Sequence, residues 1–308
     1  MYSRILVPLD GSTFSEAALP LALTLSRRTG AELHLVSVVE PVPAFSWEEW
    51  ESSAREWSKE YLEKLTSELS PHSGGTIHTA VVGGHVVDEL RREASERNVD
   101  LVAMATHGRG ALTRAWLGSV ADRFVRHADR PVLLVRPEED EAAAADAERP
   151  RVEAPRAFER ILIPLDGSEL SESALEHAVE FGRLFDASYH LTRIVAYPVE
   201  LTSPYLPHTA QMNQALIQEA QERATEYLAE QAGLLSERGL RVTTSVNAGT
   251  SPARGILEEA AEAKVDCIAM ATHGRTGLGR ALLGSTADKV LRGTHLPLLL
   301  YRPTGRTD

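Results

Sequence analysis

Two kinds of loop in this 308-residue chain carry residue types that could hold an anionic ligand, and each kind occurs twice. The first is Pro8-Leu-Asp-Gly-Ser12, which returns as Pro164-Leu-Asp-Gly-Ser168. Asp10 and Asp166 could accept hydrogen bonds from a ribose hydroxyl or help hold a metal. Equally, each could close an Asx-turn or cap the helix that follows. The second loop runs from Ala105 to Ser119 and again from Ala271 to Ser285. Neither copy has an acidic residue. One bears Arg109 and Arg114, the other Arg275 and Arg280, and they end in Gly118-Ser119 and Gly284-Ser285 at the head of a helical stretch. A helix N-terminus presents unpaired N–H groups and a partial positive charge, which suits phosphate. Glycine lets the backbone come close, and serine can donate to an oxygen or face a metal. In a chain of net charge −12, two such loops read as anion sites.

Other motif chemistries do not fit. There is no G-x-x-x-x-G-K-[ST] and no complete G-x-G-x-x-G, so neither a P-loop nor a dinucleotide fingerprint is present. The absence of G-x-S-x-G weakens a hydrolase reading. His107 and His273 have no neighbour at ligand spacing, so they read as local hydrogen-bonding or pocket-lining residues rather than a zinc site. Cys267, the one cysteine, excludes a disulfide framework and sits in an apolar run as a core residue.

The elements that must position these loops repeat with them. Arg4–Ser12 matches Arg160–Ser168, Val99–Arg109 matches Val265–Arg275, and Pro131–Pro137 matches Pro297–Pro303. The offset grows from 156 to 166, so the second copy carries about ten extra residues in its middle. A period this long means duplicated domains and not a solenoid. The division predicted is 1–137 and 158–308, joined by an acidic, alanine-rich linker over 138–157. That linker holds seven acidic and three basic residues, −4 of the total −12.

Within the first copy the pattern predicts strands at Arg4–Leu9, Leu33–Val39, Thr76–Val82, Leu101–Thr106 and Val132–Arg136. Helices are predicted at Ser15–Thr29, Ser46–Leu69, Val86–Asn98 and Gly118–His127. The second copy repeats this, with strands near Arg160, Leu191, Val242, Ile268 and Leu298. Strands alternating with helices imply an α/β fold: right-handed crossovers and a five-stranded parallel sheet with helices on both faces of each half. Ligands of such sheets bind beyond the carboxyl ends of the strands, where both loop types fall. Trp47, Trp50, Trp57 and Tyr61 share one stripe of the Ser46–Leu69 helix, expected to pack on the sheet or else to bind a partner. Glu48, Glu49, Glu51, Glu56 and Glu60 read as its solvated face.

Composition excludes several classes. With 43% hydrophobic residues, no run of about 20 apolar residues and no signal-peptide pattern, the chain reads as cytoplasmic with no membrane partner. Its acidity argues against a nucleic-acid polymer as partner.

Each half resembles the universal stress protein family, and the resemblance covers nearly all the chain except the linker. The nucleotide-binding branch of that family carries G-x2-G-x9-G-[ST]. The halves read Ala105-x2-Gly108-x9-Gly118-Ser119 and Ala271-x2-Gly274-x9-Gly284-Ser285, matching in spacing, with alanine where the motif has its first glycine. The resemblance implies two tandem Rossmann-like domains of the adenine nucleotide α-hydrolase type, each holding ATP, ADP or AMP, sometimes with Mg²⁺ or Mn²⁺. It implies that main-chain groups at Val38 and Ile194 read adenine. The strand-one loops, Pro8, Leu9 and Asp10 with Pro164, Leu165 and Asp166, would meet the ribose. The later loop would wrap the phosphates through Met104, Ala105, His107, Gly108, Arg109, Gly118, Ser119 and Val120. Met270, Ala271, His273, Gly274, Arg275, Gly284, Ser285 and Thr286 would do the same in the second half. The resemblance further implies a stress-response regulator with a protein partner of unknown identity, and at most weak ATP hydrolysis. Pairing of the last strands of the two halves would give an intramolecular pseudo-dimer, and a homodimer is a further expectation.

Overall fold

A computed structural model describes residues 2–41, 47–107, 117–137, 157–196, 209–272 and 283–302, with backbone alone at 47–49 and 209–213. The chain divides into two compact units, Met1–Ala157 with His295–Thr304, and Phe158–Thr294 with Gly305–Asp308.

The first unit is built on β1 (Arg4–Pro8), β2 (Glu32–Val39), β3 (Ile77–Gly83), β4 (Leu101–Ala105) and β5 (Val132–Val135). They lie in the order β3-β2-β1-β4-β5, all parallel. β1 and β4 are apolar and almost wholly buried, as strands covered on both faces must be. The segment from the end of the chain also belongs here. β10 (Leu298–Tyr301) runs antiparallel to β5, with Leu298 to Leu300 opposite Leu134 to Val132. Arg302 donates to the Arg126 carbonyl at 2.9 Å and fastens it. The helices are α1 (Thr13–Glu16), α2 (Leu19–Thr29), α3 (Trp47–Leu69), α4 (Val86–Glu96) and α5 (Ser119–His127).

The second unit holds β6 (Arg160–Pro164), β7 (Ser188–Ala196), β8 (Val242–Gly249) and β9 (Cys267–Ala271), in the parallel order β9-β6-β7-β8. Its helices are α6 (Glu169–Arg183), α7 (Thr209–Glu237), α8 (Pro252–Glu262) and α9 (Ser285–Gly293). The repeated aspartate before β4 and β9 ties each unit together. Asp100 accepts from the Ser3 amide at 2.7 Å, and Asp266 from the Glu159 amide at 2.6 Å, joining the starts of adjacent strands. Cys267 is fully buried, as its apolar context predicts.

Three elements depart from the sequence pattern. The helix predicted at Ser15–Thr29 is two helices, because Pro20 lies in the first turn of α2 and its ring cannot follow a helical Glu16 carbonyl. The matching residue of the second unit is Glu176, and α6 runs unbroken. The helix predicted to Asn98 ends at Glu96, since Asn98 takes a left-handed φ of 50°. Trp50 and Trp57 of the α3 stripe are not core residues, and the Trp47 side chain lies outside the described residues. Trp50 and Trp57 are 40% and 45% exposed, while Leu62, Leu65 and Leu69 supply the buried face. Trp57 stacks instead on Tyr61 at 5.6 Å. Glu56 and Glu60 are solvated as expected, whereas Glu51 is half-buried against Arg55 at 2.8 Å.

His34 of β2 is buried, stacked on His78 of β3 at 4.9 Å, and neither ring nitrogen has a hydrogen-bond partner among the described residues. Burial holds its pKa below the usual 6.5, with His78, Arg97 and Arg4 adding to the effect and Glu32 opposing it. The unfolded chain therefore binds the proton more tightly. The stability this group contributes is present above about pH 6.5 and is lost as pH falls through the folded value. His34→Leu is expected to hold or raise stability at about pH 7.5 and to flatten the decline toward about pH 5.5. Urea unfolding at both pH values measures this; an unchanged decline would show that His34 is not its source.

Candidate nucleotide site

In the orders β2-β1-β4 and β7-β6-β9, three adjacent strands end on the same side of the sheet, about 4.8 Å apart. Each contributes a different kind of group. At the end of β1, Gly11 takes a left-handed φ of 78° and turns the chain sharply. Oδ1 of Asp10 accepts from the Ser12 amide at 2.9 Å and its hydroxyl at 2.6 Å. Ser12 in turn caps α1 by accepting from the Ser15 amide. Asp166, Gly167 (φ 81°) and Ser168 repeat this at the head of α6. The Asx-turn thus accounts for Oδ1 of both aspartates, which are half-buried. Pro8 and Pro164 close their strands, and the buried Leu9 and Leu165 donate to the Val36 and Thr192 carbonyls at 2.8 Å.

That last bond orients the next strand. In a parallel sheet the N–H and C=O of one residue face the same neighbour, and alternate residues face opposite neighbours. Val36 faces β1, so Val38 faces the same side, where β1 has already turned away at Asp10. Val39, of opposite phase, accepts from Gly84 beyond β3. Val38 therefore offers a main-chain donor and acceptor at an edge that no described strand covers. Ile194 does the same beside Asp166, because Thr192 faces β6.

The third group is the entry of α5 and α9. Met104 and Ala105 close β4, Met270 and Ala271 close β9, and all four are buried, so both alanine methyls are packed within protein. Gly118 then returns to the strand end, donating to the Thr106 carbonyl at 2.7 Å, as Gly284 does to Thr272 at 2.8 Å. A Cβ on Gly118 would stand 3.0 Å from that carbonyl oxygen, so glycine permits the approach. Unlike α1, α6 and α8, neither helix has a side-chain N-cap. Among the described residues, no N-cap side chain takes up the first-turn amides, which include those of Ser119, Val120, Ser285 and Thr286. The acid in each first turn is neutralised by its own helix, Asp122 by Arg126 at 2.8 Å and Asp288 by Arg292 at 3.0 Å. His107 Nδ1 lies 3.0 Å from the Thr106 hydroxyl, the local bond expected of it. Gly108, Arg109 and Arg114, with His273, Gly274, Arg275 and Arg280, lie outside the described residues.

Several neighbours of the site escaped the motif reading. Tyr61 donates to Glu16, and Tyr227 to Glu172, each at 2.8 Å, tying the long helix of each unit to the helix after the Asp turn. Burial and the Glu172 bond push the Tyr227 hydroxyl pKa well up, so it stays a donor. In the second unit a cavity of about 340 Å³ opens beside Ile194, lined by Asn247, Ser251, Arg254, Gly255 and Glu259 among others. Among the described residues, no three His, Cys, Asp or Glu side chains converge as a metal centre, and no helix is long and apolar enough to cross a membrane.

Comparison with known proteins agrees with this architecture. The chain is 28% identical to a universal stress protein of Mycolicibacterium smegmatis, over 97% of each chain. It is 35% identical to one from Methanocaldococcus jannaschii, over 47% of this chain and 82% of that one. A crystal structure of a universal stress protein from Archaeoglobus fulgidus superimposes with a TM-score of 0.70 at 19% identity, covering 99% of this chain and 97% of that one, a likeness of fold. The model of the universal stress protein family matches residues 1–136 and again 157–302, and the chain belongs to that family as a tandem member.

Proposed function

We propose that the protein binds one adenine nucleotide, ATP, ADP or AMP, in each of the domains 1–137 and 158–308, and works as a nucleotide-dependent stress-response regulator. The observation that carries this reading is the twice-repeated meeting of an aspartate turn, an open strand edge and a helix without a side-chain cap at adjacent strand ends. Adenine needs one main-chain acceptor and donor, which Val38 and Ile194 supply. Ribose hydroxyls donate to Asp10 and Asp166. The first-turn amides and the Ser119 and Ser285 hydroxyls stabilise phosphate oxygens. The close Gly118 approach keeps this end small enough for backbone to reach the ligand. Mg²⁺ or Mn²⁺, when bound, would offset phosphate charge, with Asp10, Asp166, Ser119 and Ser285 as the oxygen donors at hand.

Oδ1 of each aspartate already accepts two hydrogen bonds, which occupies that oxygen and leaves it poorly placed as a general base. Binding without rapid turnover follows. Mass spectrometry of the purified protein after denaturation should release up to two adenine nucleotides per chain. Equilibrium dialysis with ATP and AMP, if it found no binding, would overturn the reading. Metal-dependent phosphate release abolished by Asp10→Ala with Asp166→Ala would instead make the protein an enzyme.

A further inference from the structure

Resting on the nucleotide reading, we infer that the two sites differ in charge, and that Arg193 makes the second one selective for phosphorylated over uncharged adenine ligands. The two units can be aligned residue by residue through their strand registers. Pro8 pairs with Val36 as Pro164 pairs with Thr192, so Ser37 and Arg193 hold the same position. Ser37 is buried and uncharged, whereas Arg193 is half-buried at the carboxyl end of β7.

The Arg193 guanidinium has a defined seat. Its carbon lies 5.0 Å from the centre of the Tyr227 ring, a cation–π contact. The Tyr227 hydroxyl is itself held by Glu172 at 2.8 Å. A Cβ placed on Gly167 would stand 3.0 Å and 3.2 Å from the two terminal nitrogens of Arg193. The cation therefore sits against the Asp166-Gly167 turn, beside the ribose position and one residue from the Ile194 edge. In the first unit the matching tyrosine, Tyr61, stacks on Trp57, and the matching strand position carries no charge.

Only the first turn of the adjoining helix differs in the same sense, since one turn on Glu258 stands where α4 has Arg92. The first turn of α4 carries Asp88 and Glu89, while that of α8 carries no acid and has Arg254 and Gly255 in their places. Glu89 stands against Gly84, where a Cβ would meet its side chain at 2.9 Å. In the second unit the corresponding space is the cavity beside Ile194, with Gly255 in its wall. Arg254 is paired with Glu258 at 2.7 Å and exposed, whereas Arg193, among the described residues, lies against the turn.

A unit charge within about 10 Å of a polyphosphate, partly screened by solvent, changes affinity by roughly tenfold and acts little on a neutral ligand. The test uses the full chain and calorimetric titration with ATP and with adenosine. Gly118→Asp isolates the second site, and Gly284→Asp the first. At the second site, Arg193→Ser, which copies Ser37, is expected to weaken ATP about tenfold and adenosine less than about twofold, and the ATP loss should shrink at high salt. Arg193→Lys should retain most of the ATP preference. At the first site neither change should matter. Equal weakening of ATP and adenosine would mark Arg193 as a purely structural residue, and unchanged ATP binding would show that its charge is not felt; either overturns the inference. A chain that binds neither ligand with both glycines intact overturns the nucleotide reading, and this inference falls with it.

Discussion

Gly118→Asp together with Gly284→Asp is expected to weaken ATP binding at least about 100-fold while leaving the fold intact. Aspartate is a favoured N-cap residue, so its carboxylate would accept from the first-turn amides that α5 and α9 now leave without a side-chain partner. The helices gain a few tenths of a kcal/mol from the cap, set against the tight 3.0 Å contact of the Gly118 Cβ position with Thr106. Phosphate loses its donors and meets a negative charge at the same point. Each lost charge-assisted bond is worth about 1.5–3 kcal/mol, which sets the size of the effect. Gly→Asn at the same positions separates the two causes: it takes the amides without adding charge, so it should weaken ATP less. Equilibrium dialysis with labelled ATP reads the result, and circular dichroism checks the fold. Wild-type affinity in the double Asp variant would sink the site assignment.

The largest effect on stability is expected from Glu259→Ala. Glu259 of α8 and His190 of β7 are both buried and lie 2.7 Å apart. Asn247 donates to the other oxygen of Glu259. His190 is held on its far side by the Thr243 hydroxyl at 2.7 Å and touches Ser245 at 3.1 Å. Burial alone would raise the Glu259 pKa, but the bonds from His190, Ser245 and Asn247 outweigh it and hold the carboxyl below its usual value. The unfolded state therefore binds the proton more tightly. The stability from this group is present above about pH 4.5 and is lost as pH falls through the folded pKa.

Removing one member of a buried hydrogen-bonded pair costs about 3 kcal/mol, equivalent to a fall in Tm of roughly 10 °C for a unit of this size. The matching residue of the first unit, Glu93, is paired with a partly exposed Arg97 at 2.7 Å. Glu93→Ala should cost less, about 1 kcal/mol. Calorimetry of both variants tests the contrast. Equal shifts, or a Glu259→Ala protein with an unchanged acid limb, would show that the pair does not act as described.

Much of the fold is legible in the sequence. Strands such as Arg4–Pro8 and Leu101–Ala105 are short apolar runs ended by turn residues, and their burial on both faces leaves no alternative register of polarity to confuse them. The Gly118 and Gly284 entries were legible because a helix start after an acid-free glycine loop is a local property of the chain. The failures were also physical. Ser15–Thr29 read as one helix since its apolar spacing is continuous, and Pro20 is tolerated in a first turn, so only the packed chain shows where that turn falls. The tryptophan stripe of α3 read as core because aromatic residues at helical spacing mark a buried face, yet Leu62, Leu65 and Leu69 fill the sheet-facing side and leave Trp50 and Trp57 in solvent.

By itself the sequence determined that the chain is a duplicated α/β unit, and it marked the two repeated loop types at the strand ends, because periodicity, turn chemistry and spacing act over a few residues. The tertiary structure decided what those loops have for neighbours. It closed the Asp10 and Asp166 turns on Ser12 and Ser168, opened the Val38 and Ile194 edges, and seated Arg193 between Tyr227 and Gly167. The strand edges and the Arg193 seat join residues tens of positions apart, where spacing along the chain carries no information.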